Sequence, residues 1–377
     1  MKFIHLSDLH LGKRVNEFPM LKDQEYILAQ ILKAVQRLEP DAVLIAGDVY
    51  DKSVPSAEAV RLFDDFLSSL YALRPKKPEL FIISGNHDSA ERIAFGSALM
   101  RESGVHLSPV YDGRVEPVTL EDEYGPLHIY MLPFVKPVHV RRYYPEEEIR
   151  DYNDAIRVAV EQMQVDPAQR NLLMTHQFVT GSQRCDSEEL SVGGADNVDA
   201  ASFADFDYVA LGHIHGPQNA AGPRVRYCGS PLKYSFSEAG HKKSLTVVDF
   251  GPKGEVSVTT EPLVPLREMR ELRGTFEEIM AQPDSGDYLH ITLTDEEDIP
   301  NVMAKLRVPF PNLMKLDYDN RRTRRNAVVT GIAVEQQQSP LAVFAQFYET
   351  MNNQPMTQEQ EAFLQSLIET IWEERDT

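Results

Sequence analysis

Five times along this chain a short apolar run stops and Asp, Asn or His follows at once, and this recurrence limits the fold more than any other feature. FIHL leads to Asp8 and His10, AVLIA to Asp48, LFIIS to Gly85, Asn86, His87 and Asp88, NLLMT to His176, and YVALG to His213 and His215. Apolar runs this short, without polar alternation, read as strands buried on both faces of a sheet. In open α/β sheets ligands bind outside the carboxyl ends of the strands. Residues spread over more than half the chain can therefore converge on one place. Gly85, without a side chain, is read as permitting a sharp turn that delivers Asn86, His87 and Asp88.

Between these runs lie helical ones, so that FIHLSD, YILAQILKAVQRL, AVLIAGD, AVRLFDDFLSSLYAL and LFIISGN spell βαβαβ. In the first helix Ile27, Ile31, Ala34, Val35 and Leu38 recur at helical spacing and are assigned to the core. After residue 125 the strands crowd together: LHIYMLPF, NLLMTH, YVALGH, VRYCGS, SLTVVDF and EVSVTTEPL. The later ones, with turns such as GPKG, predict a second sheet packed on the first. The expected fold is an α/β two-sheet sandwich over residues 1–260.

The composition shifts after it. Over 261–335, TFEEIMA and IPNVMAKL read as helices around the strands DYLHITLTD and LMKLDYDN, a compact α+β cap. Its basic run NRRTRRN, 320–326, is either a solvated loop or a phosphate contact. QQQSP, 336–340, is a linker, with Ser339 and Pro340 suited to open a helix. The tail, 341–377, holds two predicted helices, one striped by Leu341, Phe344, Phe347, Tyr348 and Met351. The other starts at a Thr357/Gln360 capping box and carries Leu364, Leu367, Ile368, Ile371 and Trp372. Two readings stay open: the tail folds back on its own body, or it grips a partner helix.

With 377 residues the chain exceeds one ordinary core. No stretch is apolar enough for a membrane span or a secretory signal, and a cytoplasmic location is expected. Cys185 and Cys228 are too few for a disulfide framework or a thiolate metal site. The net charge of −20 argues, alone, against nucleic-acid binding. Bound cations would reverse that locally, and Lys13 and Arg14 add positive charge nearby.

Asp8, His10, Asp48, Asn86, His176, His213 and His215 supply carboxylate, amide and imidazole ligands, too many for one ion. Two ions sharing a bridging carboxylate fit the number, and Asp48, the lone carboxylate at its strand end, is the natural bridge. Two dications with two aspartates leave the site about +2, which attracts phosphate. The mix of imidazole and carboxylate suits manganese, iron or zinc better than calcium, and Mn2+ is expected. His5, His106, His128, His139, His241 and His290 lack the strand-end context and are assigned structural roles.

The ordered set DxH, GD, GNHD, H and GHxH resembles the calcineurin-like metallophosphoesterase superfamily over roughly the first 260 residues. Within it, FIHLSDLHLGK, ELSVGGADNV, GHIHGPQ and YCGSPLKYSFSE are similar to the bacterial SbcD nucleases, and the likeness extends through cap and tail. GDVYD departs from the wider superfamily near Asp51. The resemblance implies one metal held by Asp8, His10, Asp48 and His215 and a second held by Asp48, Asn86, His176 and His213. His87, next to Asn86 and an imidazole whose ordinary pKa lies near neutrality, is assigned as general acid for the leaving 3′ oxygen. Asp88 either orients it or caps the helix before SAERIAF. The resemblance further implies a DNA nuclease acting on duplex ends, hairpins and single strands in repair and recombination. It would work as a homodimer with two copies of the SMC-like ATPase SbcC. The competing readings are a small-substrate phosphodiesterase or phosphatase on the same scaffold, and a scaffold subunit, whose ligands would be degraded.

Overall fold

The computed structural model describes residues 1–188, 196–320, 341, 344–345, 347–348 and 356–375. The basic run after Asn320, the QQQSP segment and Met351 lie outside the described residues. Two six-stranded sheets form the body. In the first, β1 (Lys2–Leu6), β2 (Ala42–Ala46) and β3 (Glu79–Ile83) run parallel, with Phe3 opposite Ala42 and Val43 opposite Leu80. In the second, β4 (Arg170–His176) and β5 (Tyr208–Gly212) run parallel, with Leu172 opposite Tyr208.

The central strands of both sheets are buried on both faces, which is why they read as unbroken apolar runs. Leu44 and Ala46 point into the core between the sheets with Phe81, Leu172, Met174 and Tyr208. Their alternates Val43 and Ile45 face the helices, where Ile27, Ile31 and Val35 of α1 (Leu21–Leu38) and Phe63 and Phe66 of the helix Ala57–Tyr71 pack. The expected stripe of α1 is therefore the core face, with Leu38 partly buried at its end.

One expectation is corrected. SLTVVDF and EVSVTTEPL belong to the first sheet and not to the second. Ser244–Phe250 lies antiparallel to β1, with Val247 opposite Ile4, and Val256–Pro262 pairs with it through a hairpin. Chain neighbours need not be sheet neighbours. Leu245 and Val247 meet the helix-side core while Val248 and Phe250 meet the inter-sheet core, so nothing in the run itself distinguishes the two sheets.

Three parallel strands, Met269–Gly274, Tyr288–Leu293 and Leu313–Tyr318, form a separate sheet. Its helices Phe276–Met280 and Val302–Leu306 close a small core of Ile279, Leu289, Ile291, Leu293, Leu306 and Phe310. Thr275 and Glu278 make the capping box that starts the first of them. The strand Met269–Gly274, MRELRG, carries no strand signal in its sequence because charge dominates it. Met269, Tyr288 and Met314 dock on the main core beside α1, where buried Asp23 accepts from Arg267 Nη1 at 2.6 Å and from the Tyr288 hydroxyl at 2.7 Å. Among the described residues no helix is long and apolar enough to cross a membrane.

Candidate metal centre

The five strand ends meet at one edge where the sheets abut. Past their last residues, β1 and β2 stay linked by backbone hydrogen bonds from Asp8 N–H to Gly47 O and from His10 N–H to Asp48 O, both 3.0 Å. These loops are held in a backbone region that side chains disfavour. Asp8, His10, Asp48 and His213 have φ of 54°, 43°, 49° and 101°, at a cost of about 1–3 kcal/mol each. All four are sequence-assigned ligands.

Gly85 has a role other than the sharp turn expected of it. A Cβ there would lie 2.1 Å from Asp48 Oδ1, so a side chain is excluded because the Asp48 carboxylate presses on the backbone. Gly212 is equally constrained, since its Cβ would lie 1.9 Å from Ala46 O and 2.6 Å from His176 Nδ1. Glycine here brings the two sheets' edges together.

Nitrogen and oxygen atoms of the ligand type converge here. His176 Nδ1 donates to Ala46 O at 2.8 Å, which turns Nε2 toward Asn86 Oδ1 at 3.1 Å and Asp48 Oδ2 at 3.5 Å. His213 Nδ1 lies 3.0 Å from the same Asn86 oxygen. On the other side His10 Nε2 lies 3.0 Å from His215 Nε2 and 3.5 Å from Asp48 Oδ2. Asp48 thus stands between two clusters. Asp8 groups within 4.8 Å both with His10 and His215 and with Asp48 and His176. Its carboxylate also accepts from the Ser7 hydroxyl and, at 3.1 Å, from His213 N–H.

Electrostatics follow from burial. Burial lowers the proton affinities of His10 and His213 far below the ordinary imidazole value. Burial would lower His176 too, but the facing Asp48 carboxylate outweighs it and pushes that imidazole up to about 9. Burial raises Asp48, yet His176 and His87 together hold it well below the carboxylate range. Asp8, dominated by burial, is raised. A cation is wanted here. Contacts of about 3 Å between N and O donors match the edge of an octahedron with bonds of about 2.1 Å. The donor set, imidazole, carboxylate and amide without sulfur, fits divalent ions of the manganese, iron or zinc type.

His87 sits on the His10 side. Its ring centroid is 4.8 Å from that of His10, its Nε2 is 3.9 Å from Asp48 Oδ2, and its Nδ1 is 3.1 Å from Asp51 O. His87, with His10 and Asp48, also has ligand spacing. Its side chain is 14% exposed while those of His10 and His176 are fully buried, so it is the imidazole open to an incoming group.

Asp88 is not a helix cap. Ser89 holds that position, and the Asp88 carboxylate instead accepts from the backbone N–H of Gly85 at 2.9 Å, Val49 at 3.1 Å and Tyr50 at 2.9 Å. It ties the Asn86 loop to the Asp48 loop, and burial raises its pKa to about 6. Asp51 accepts from Lys13 Nζ at 2.7 Å and lies 3.8 Å from His10 Nδ1. Sequence reasoning missed Gln24, whose amide donates to His10 O at 2.7 Å, and the buried group Glu188, Glu238 and Lys243 around His215. Gln24 could have been found as a polar residue one turn before Leu28 on the apolar stripe.

The calcineurin-like phosphoesterase family matches residues 1–217, which contain every assigned ligand and His87. The chain belongs to that family. As a calcineurin-like phosphoesterase it is a metal-dependent hydrolase, and divalent ions are its cofactor. A second family, described as the type 5 capsule protein repressor C-terminal domain, matches residues 265–352. This phosphoesterase is 32% identical over 381 residues to the SbcD subunit of the SbcCD nuclease of Staphylococcus epidermidis, covering 98% of this chain and 99% of the relative. A dimetal phosphatase structure from Danio rerio is 11% identical, covers 70% of this chain and 96% of its own, and superposes with a TM-score of 0.42.

Proposed function

We propose that this phosphoesterase is a two-metal DNA nuclease, the nuclease subunit of a complex with an SMC-like ATPase of the SbcC type. The observation that carries this reading is the near end-to-end likeness to a nuclease subunit, through cap and tail as well as the metal centre. A small-substrate phosphatase has no need of those appendages. In this reading Asp8, His10, Asp48 and His215 hold one ion, Asp48, Asn86, His176 and His213 the other, and the ion is Mn2+. When bound, such ions supply Lewis acidity toward phosphate oxygens and water.

The protein's own part is positioning and proton transfer. Asp48 fixes the spacing of the two clusters because its Oδ2 is equidistant, at 3.5 Å, from His10 Nε2 and His176 Nε2. Its Oδ1 accepts the His87 N–H at 2.9 Å, which places the His87 ring beside the centre. His87 then donates a proton from its imidazole to the leaving 3′ oxygen. Residues 1–260 form the nuclease domain, 261–335 a cap over the DNA, 336–340 a linker and 341–377 the segment that binds the ATPase.

Support for a homodimer comes from the segment after Asp88, where Phe95 and Leu99 are 84% and 82% exposed, an apolar surface for a second copy to cover. Two such chains with two ATPase chains make the heterotetramer. The substrates are duplex ends, hairpins and single strands, and the location is cytoplasmic. Purified alone and with the ATPase, the chain should cut single strands and hairpins with Mn2+, and duplex ends with ATP when complexed. Hydrolysis confined to small phosphoesters in both preparations would overturn the reading.

A further inference from the structure

His215 is set in a hydrogen-bond relay that the metal-ligand reading leaves unused. Its Nδ1 lies 2.8 Å from Ser187 Oγ, and the Ser187 hydroxyl donates to Glu238 Oε1 at 2.6 Å. The other Glu238 oxygen accepts from Lys243 Nζ at 2.6 Å, and Oε1 accepts also from Tyr234 N–H and the Ser235 hydroxyl, each at 3.1 Å. Glu238 is fully buried and Lys243 is 5% exposed, so the carboxylate is paired with its ammonium and acts only as an acceptor. Lys243 closes the circle by donating to His215 O and to Ser230 Oγ, both at 2.8 Å. Glu188 pins the backbone as well, accepting from His215 N–H at 2.6 Å.

The direction of this relay is forced. A serine hydroxyl has one proton, and that of Ser187 is committed to Glu238. Ser187 Oγ must then accept from His215, which places the ring proton on Nδ1 and leaves the lone pair on Nε2. Nε2 is the atom that faces His10 across 3.0 Å. We infer that Ser187 and Glu238 are positioning residues that commit His215 to the tautomer able to ligate metal through Nε2, with Lys243 holding Glu238 ready to accept. The inference rests on the metal-centre reading but not on the nature of the phosphoester cut. Partners one shell out from a metal-bound histidine typically govern metal affinity by about 10–100-fold.

The test uses the full chain. In the ion-free protein, 15N-histidine NMR, with His215→Gln used to assign the resonance, should find the His215 proton on Nδ1. Mn2+ titration followed by electron paramagnetic resonance should then show one of two ions weakened by about 10–100-fold in Ser187→Ala, with the other unchanged. Ser187→Thr, which keeps the hydroxyl, should restore it, a rescue that a merely structural contact would not require. A proton found on Nε2, or Ser187→Ala binding both ions as tightly as wild type, would overturn the relay. If the wild type binds no divalent ion, the metal-centre reading fails, and the NMR measurement still decides the tautomer.

Discussion

The metal centre and the C-terminal helix Gln358–Arg375 are built on opposite principles. At the centre, each cluster is closed by the protein itself: His176 is oriented by Ala46 O, Asp88 takes three backbone N–H groups, and glycine at 85 and 212 allows the strand ends to touch. Along the helix, Phe363 is 70% exposed and Leu367 43%. A buried, strained constellation does one fixed job, whereas in the proposed reading the apolar residues this helix leaves in water are completed by the ATPase. The comparison yields predictions that differ in kind as well as in size.

The largest effect belongs to Asp48, the residue standing between both clusters. Asp48→Asn should lose both ions and with them all cleavage. Elemental analysis finding two ions per mutant chain would break the bridging assignment. Next is truncation after Gln338, which removes the helix and leaves the whole centre, since its assigned ligands end at His215 and their supporting residues at Lys243. Mn2+-dependent cutting of short single strands should persist while co-purification with the ATPase is abolished. Loss of basal activity in the truncated chain would show that the tail belongs to the nuclease body.

A smaller effect separates chemistry from ligation. His87→Ala should keep both ions and lower the single-turnover rate by about 100-fold, within the range for a lost general acid. Should ion content fall in step with activity, His87 is a ligand, as its spacing to His10 and Asp48 permits.

What could be read from sequence follows the same division. The strand-end Asp, Asn and His residues were legible because a strand is a short-range object and its end fixes the next side chains in space. The partners behind them were not. Glu188, Glu238 and Lys243 sit in stretches whose composition is that of solvated loops, and only packing of segments far apart in the chain buries them, with Ser187 half-buried beside them. Asp23 and Gln24 left a trace, being polar at the spacing of Ile27 and Leu28 on one helix face. Sheet membership of SLTVVDF left none, because a strand covered on both faces carries no record of which neighbour covers it.

The smallest predicted effect sharpens the comparison most, because it uses the same residue type in both regions. Leu44 is fully buried between the sheets, so Leu44→Ala should lower unfolding stability by about 2–5 kcal/mol through lost contacts and the cavity left behind. Leu367 is 43% exposed, and Leu367→Ser should change the stability of the isolated chain by no more than about 0.5 kcal/mol. Its effect belongs to binding, where burial against a partner would make the lost side chain felt in the dissociation rate of the complex. Urea unfolding of both variants, followed by dissociation measurements with the ATPase, separates the two contributions. If Leu367→Ser instead shifts the urea midpoint as far as Leu44→Ala does, the helix is packed on its own chain in solution, and the contrast between a self-completed centre and a partner-completed tail is lost.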